Sequence, residues 1–180
     1  MPMLRNSRNE RLNERHLLLV SAFLLLVILG AKVDLDLGGV VSFTLQTLFL
    51  GIGYCYLPVR WRLLLIGVYL ILGILGLPVF NKDVGWEYFS SWPLGFFLGF
   101  LLAAFIPTPT SHYFSPLFKY FIELHGVILV LGAIWYGLFT GSAIAALETT
   151  LDILPGVIIK SFLGSFLIIL IRKYLVQRDI

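Results

Sequence analysis

Apolar residues run along this chain in long blocks, each closed by a short charged or turn-rich stretch. The first block runs from about His16 to Ala31, and Lys32, Asp34 and Asp36 close it. The second runs from about Gly39 to Leu57, where Pro58-Val-Arg60-Trp-Arg62 makes a tight basic turn. The third covers about Trp61 to Gly76. A non-periodic stretch follows from Leu77 to Trp92-Pro93. The fourth covers about Leu94 to Ile106 and stops at Pro107-Thr-Pro109. The fifth runs from about Pro116 to Phe139, and the sixth from Pro155 to about Leu175. A membrane helix needs about 20 residues, and several blocks approach that length, although the fourth is short. The pattern predicts an all-α integral membrane protein of about six transmembrane helices.

The sixth block starts in a distinctive way. Asp152-Ile-Leu-Pro155-Gly156 reads as a polar connection that turns into the helix, because proline suits a first helical turn. That reading puts Lys160 about one turn inside the membrane helix. A lysine costs roughly 2.5–3.5 kcal/mol at the bilayer centre, and less near an end, where it can snorkel to the headgroups. Two readings stay open: a snorkelling lysine, or a cation that faces a ligand or partner.

Composition settles the class. The 180 residues are 59% hydrophobic, 15% aromatic and 13% charged, with a mean hydropathy of +0.95. Soluble domains average about 25% charged residues. No polar stretch is long enough to fold separately, so residues 1–180 read as one transmembrane domain. Within it, residues 1–15 form a basic cytoplasmic segment and 16–175 the six-helix bundle. The net charge of +3 does not point to nucleic acid, because the basic residues flank apolar blocks and act as topology signals. The N-terminal Met1-Pro-Met-Leu-Arg5-Asn-Ser-Arg8 leads into an apolar run without a small-residue cleavage site, so the first helix is read as retained. Cys55, the single cysteine, sits in an apolar run. It offers neither a disulfide framework nor a thiolate metal site and reads as a small buried hydrophobe.

Arginine and lysine placement gives an orientation. Arg5, Arg8, Arg11 and Arg15 precede the first helix, Arg60 and Arg62 follow the second, and Arg172, Lys173 and Arg178 close the sixth. With six spans these clusters share one side with Lys119. Both termini are then cytoplasmic in the cell membrane, and the loops with Asp34 and Asp36, with Asp83 and Glu87, and with Glu148 and Asp152 face outward. The Asn81–Trp92 loop, with Trp86, Tyr88, Phe89 and Trp92, reads either as an interfacial belt or as a lid over a cavity. Aromatic walls with a few polar groups are typical of small-molecule sites.

The residues offer little to an enzyme. His16, His112 and His125 are scattered, and Glu123 and His125, two apart on a helix, point to different faces. No His-Glu-x-x-His motif, Gly-x-Ser-x-Gly motif or paired catalytic carboxylates occur. Neither a metal nor another cofactor is called for. No Gly-x-x-x-x-Gly-Lys loop is present, so ATP hydrolysis would need another protein. Gln46 inside an apolar helix reads either as a helix-bridging hydrogen bond or as a cavity group. Trp135 and Tyr136 read as packing or interface anchors, and Gly137 and Gly141 are spaced for close helix contact.

The order of these segments resembles the BioY family, the six-helix substrate-binding (S) components of energy-coupling-factor transporters that take up biotin. The resemblance rests on Thr44-Leu-Gln46-Thr-Leu, on Tyr69-Leu-Ile-Leu-Gly-Ile-Leu-Gly-Leu77-Pro78-Val-Phe80, and on Leu98-Gly99-Phe100. It extends to Leu131-Gly-Ala-Ile-Trp135 and Leu154-Pro155-Gly156-Val-Ile-Ile-Lys160, all in the family's order. Three departures stand out. Pro155-Gly156-Val157 replaces the family's usual Pro-Gly-Asp, so a carboxylate that helps bind ligand is absent. Ser91-Trp92-Pro93-Leu94-Gly95-Phe96 replaces Gly-Pro-Thr-Gly-Gly-Tyr. The first helix reads Ser21-Ala22-Phe-Leu-Leu-Leu-Val-Ile-Leu-Gly30-Ala31, without the Ala-x-x-x-Ala spacing that packs against a coupling subunit.

The resemblance implies a membrane-embedded capture component for a vitamin, biotin first, energised by a coupling subunit and separate ATPases. It implies a binding set of Gln46, Asn81, Asp83, Trp86, Trp92, Trp135 and Lys160. A diverged relative that binds another small carboxylate, or a non-transporting membrane scaffold, are the other outcomes.

Overall fold

The computed structural model describes residues 2–35 and 43–178. Among them are seven helices: α1 (Pro2–Lys32), α2 (Gln46–Tyr56), α3 (Val59–Ile74), α4 (Gly85–Ser90), α5 (Leu94–Ala103), α6 (Phe114–Thr140) and α7 (Ala143–Arg178). A two-residue antiparallel ladder joins β1 (Asp34–Leu35) to β2 (Phe43–Thr44). Among the described residues, three helices are long and apolar enough to cross a membrane by length and composition, at residues 12–32, 114–140 and 143–174. Together with α2, α3 and α5 they make the expected six-helix bundle, and α4 is a short extra turn in the stretch read as non-periodic.

Several boundaries differ from the expected ones. The second block does not become helical until Gln46, because Phe43 and Thr44 are extended and paired with the chain leaving α1. Asp36 and the start of that block at Gly39 lie outside the described residues. The N-terminal basic segment continues α1 rather than preceding it. At 1.5 Å per residue, 31 residues measure about 46 Å, well beyond a hydrocarbon core of about 30 Å. The fourth block is helical only through Ala103, and turns carry the chain from there to Pro107.

The largest correction concerns Pro155-Gly156, which does not begin a helix. Helix α7 begins at Ala143, and Pro155 lies inside it. The start is built by Gly141, whose φ of 67° ends α6 in the left-handed region, and by Ser142. The Ser142 hydroxyl accepts from the Ala145 N–H at 3.1 Å, an N-cap interaction that satisfies one orphan donor. Ala143, Ala145, Ala146 and Leu147 then favour helix strongly. Proline removes one backbone bond from the helix interior, a loss that membrane helices absorb through their neighbours. Glu148 and Asp152 are therefore exposed residues on α7, not loop residues. Lys160 is more than four helical turns from the helix start, not one. Gly141 acts as a cap rather than a contact point, whereas a Cβ on Gly137 would lie 3.1 Å from that of Ala146 across the hairpin.

Glycines and one phenylalanine set the helix spacing. A Cβ on Gly95 would sit 2.4 Å from the Leu131 carbonyl oxygen, and one on Gly99 would sit 2.7 Å from the Ile128 Cα. Helix α5 therefore lies almost backbone to backbone on α6, as small residues allow in membranes. The Phe121 ring of α6 fills the space above Gly51 of α2 and Gly164 of α7, where added Cβ atoms would come within 2.6 and 2.5 Å. This wedge draws α2, α6 and α7 together.

Two arginines bind the α5–α6 connection. Buried Arg62 donates to the carbonyls of Leu57, Ala104 and Ile106 and to the Thr108 hydroxyl, at 2.7–3.1 Å. Arg172 donates to the carbonyls of Ser111 and, at 2.9 Å, Pro109. Arg60, by contrast, is exposed and bonds Asn13 of α1 at 3.2 Å.

Candidate functional site

A cavity opens between α2, α3, α5, α6 and α7, roofed by the α3–α4 connection and by α4. Its aromatic wall comes from Tyr69, Phe80, Tyr88, Trp92, Phe96, Phe97 and Phe100. The wall is self-supporting: Phe80 stacks on Phe97 at 4.7 Å and meets Tyr69 edge-on at 5.4 Å. Phe80 also contacts Tyr88 at 5.8 Å, and Trp92 meets Tyr88, Phe96 and Tyr136 edge-on at 6.1–6.4 Å. Such offset and edge arrangements suit ring quadrupoles.

Polar groups enter this wall at few points. Gln46, in the first turn of α2, is buried, and its amide nitrogen donates to the Tyr69 hydroxyl at 2.9 Å. That hydroxyl donates onward to the Val79 carbonyl at 3.2 Å. One N–H of the amide is thus committed, which leaves Gln46 a second N–H and its carbonyl oxygen. Asn81 and Lys82 line the cavity from the α3–α4 connection, and Lys160 lines it from α7. Lys160 is only 6% exposed, whereas Lys82 is exposed. Among the described residues the lining holds two lysines and no carboxylate. Val157, one helical turn before Lys160 and equally buried, lines the same wall. In the roof, Tyr88 is half-buried, and burial together with the nearby Asp83 charge pushes its phenol up to about 12. It therefore presents a neutral hydroxyl throughout the physiological range.

The candidate set divides in two. Gln46, Asn81, Trp92 and Lys160 meet around the cavity, while Asp83, Trp86 and Trp135 do not line it. Asp83 accepts the N–H of its neighbour Val84 at 2.8 Å on the surface, just before α4. Trp86 is 62% exposed and leans on Phe89. The Trp135 indole donates to the Ser91 carbonyl at 2.8 Å, fixing the turn that presents Trp92. Its contribution lies behind the wall.

Sequence reasoning missed His125 as a cavity residue. It is 2% exposed and lines the floor. Its Nδ1 lies 2.8 Å from the Phe121 carbonyl and 3.1 Å from the Ser161 hydroxyl, and its Nε2 lies 3.1 Å from the Thr47 hydroxyl. A carbonyl only accepts, so the proton is assigned to Nδ1, and Nε2 accepts from Thr47. Glu123, on the other face of α6, pairs with Lys119 at 3.7 Å in an exposed i,i+4 bridge. No sequence signal ties His125 to residues 78 and 36 positions away.

The profile described as the BioY family matches residues 5–177. The chain is 36% identical over 93 residues to the biotin transporter BioY of Thermotoga maritima, covering 51% of this chain and 54% of that protein. It is 33% identical over 117 residues to the probable biotin transporter BioY of Lysinibacillus sphaericus, covering 63% and 59%. It is also 33% identical over 128 residues to the biotin transporter BioY2 of Lactococcus lactis subsp. cremoris, covering 65% and 70%. The matched stretch thus spans a little over half the length of the first two relatives. The crystal structure of the S-component for biotin from an ECF-type ABC transporter superposes with a TM-score of 0.79 at 20% identity. That superposition covers 91% of this chain and 93% of the solved one. The fold is therefore shared.

Proposed function

Because the chain belongs to the BioY family, we propose that it is the membrane-embedded capture component of a vitamin uptake system. It binds biotin from outside, and a coupling subunit with separate ATPases energises transfer. The observation that carries this reading is the cavity itself: an aromatic wall, a buried lysine on α7, and no lining carboxylate among the described residues. A cation held in such a place favours an anionic ligand group, since charge-assisted hydrogen bonds are about twice as strong as neutral ones. The lining aromatic rings suit an apolar body attached to that group.

Binding is tested by isothermal titration of the purified chain with biotin. Saturable heat with one site supports the reading, and no heat at millimolar biotin removes it. A second reading is favoured by Val157, which lines the cavity where the family usually carries an aspartate: the ligand is then another small carboxylate. Competition of labelled biotin by short carboxylates and by other acidic vitamins separates the two.

The proposed orientation puts both termini in the cytoplasm, supported by the basic clusters that alternate with the acidic connections at Asp34 and Asp36 and at Asp83 and Glu87. Cysteines placed at Ser7 and Gln177 in a Cys55→Ala background should resist an impermeant reagent in intact cells. Labelling of either from outside would sink this topology.

A further inference from the structure

His125 joins two helices at the residues next to those that carry the cavity's polar groups. Its Nε2 accepts from Thr47, the neighbour of Gln46 on α2, and its Nδ1 side meets Ser161, the neighbour of Lys160 on α7. The Ser161 hydroxyl in turn donates to the Val157 carbonyl at 2.7 Å. We propose that His125 is a positioning residue for ligand binding: one neutral imidazole sets α2 against α7 so that Gln46 and Lys160 face the cavity together. This rests on the reading of the cavity as a ligand site.

The imidazole selects one packing of the three helices among several that apolar contacts allow. The Phe121 wedge holds α2, α6 and α7 close, but apolar packing on glycine tolerates small rotations and sliding. Hydrogen bonds among strongly shielded groups do not, because a displaced partner loses its pairing in low-dielectric surroundings. His125 has hydrogen-bond partners on both adjacent helices, and Thr47 and Ser161 are themselves buried at 8% and 0% exposure. A rotation of either helix would break one of these bonds. Phenylalanine at 125 would keep ring and volume and lose both anchors. Glutamine would restore one polar end, able to accept from Thr47.

The test uses the full chain with biotin as probe. It also uses ligand-free hydrogen exchange at residues 45–49 and 157–161. His125→Phe is expected to weaken biotin about tenfold and to raise exchange in both segments while α3 and α5 stay unchanged. Thr47→Val added to it should cost little more, because the two variants remove one shared interaction. His125→Gln should recover most of the affinity, which a bulk packing role would not allow. Should His125→Phe fail to fold, Thr47→Val should raise exchange at 45–49 and Ser161→Ala at 157–161. Unchanged exchange in both segments, unchanged biotin affinity in His125→Phe, or additive losses in the double variant would each overturn the proposal. If the parent chain binds no biotin, the transport reading fails, and the ligand-free exchange still decides the role of His125.

Discussion

The Gln46 amide and the Tyr69 hydroxyl form a 2.9 Å hydrogen bond that links the first turn of α2 to the middle of α3. The same hydroxyl holds the Val79 carbonyl, so the α3–α4 connection that roofs the cavity is tied to α2 and α3 through one side chain. Tyr69→Phe deletes one oxygen and leaves a buried carbonyl and a buried amide without this partner. A stability loss of roughly 1–3 kcal/mol is expected, because unsatisfied buried groups cost their full desolvation. Thermal melting in detergent checks this. A melting temperature equal to the parent's would show that the link is dispensable.

Lys160→Met keeps length and apolar volume and removes the charge. If Lys160 neutralises the ligand's carboxylate, affinity should fall about ten- to a hundredfold, while folded yield holds or rises because a costly intramembrane cation is gone. Biotin amide should bind parent and variant almost equally. Titration with acid and amide settles the point: undiminished affinity for the acid would leave the lysine without a role in ligand charge.

Trp92 lines the cavity and Trp86 does not. Ligand binding should therefore change tryptophan emission through Trp92. Trp92→Phe is expected to remove most of the change, and Trp86→Phe to leave it intact. A signal that follows Trp86 would move the ligand to the outer surface of α4.

Gly99 and Gly126 sit in opposite surroundings. A Cβ at Gly99 meets the α6 backbone at 2.7 Å, and a Cβ at Gly126 meets nothing within 4 Å. Gly99→Ala should force α5 away from α6 and cost about 1–3 kcal/mol. Gly126→Ala should be neutral or stabilising by up to about 1 kcal/mol, through lower unfolded-chain entropy. Equal melting temperatures for the two variants would refute the close α5–α6 approach.

What the sequence determined by itself follows from hydropathy and charge, which are properties of stretches. Six apolar blocks, their approximate order and the basic clusters at their ends were legible, because a bilayer imposes length and polarity on each segment separately. Family membership was legible too, in motifs from Thr44 to Lys160. Some local signals misled. Pro155-Gly156 looked like a helix start, and only the capping by Gly141 and Ser142 together with packing against α6 shows why α7 begins at Ala143 and runs through the proline. Trp86, Trp92 and Trp135 were equivalent as letters, yet one lines the cavity, one props the turn behind it and one lies on the surface. His125 needed Thr47 and Ser161 from two other helices before it meant anything. Which polar groups share a cavity depends on how helices rotate and how closely their glycines let them approach. Those quantities arise only when the helices pack, so tertiary structure alone decided them.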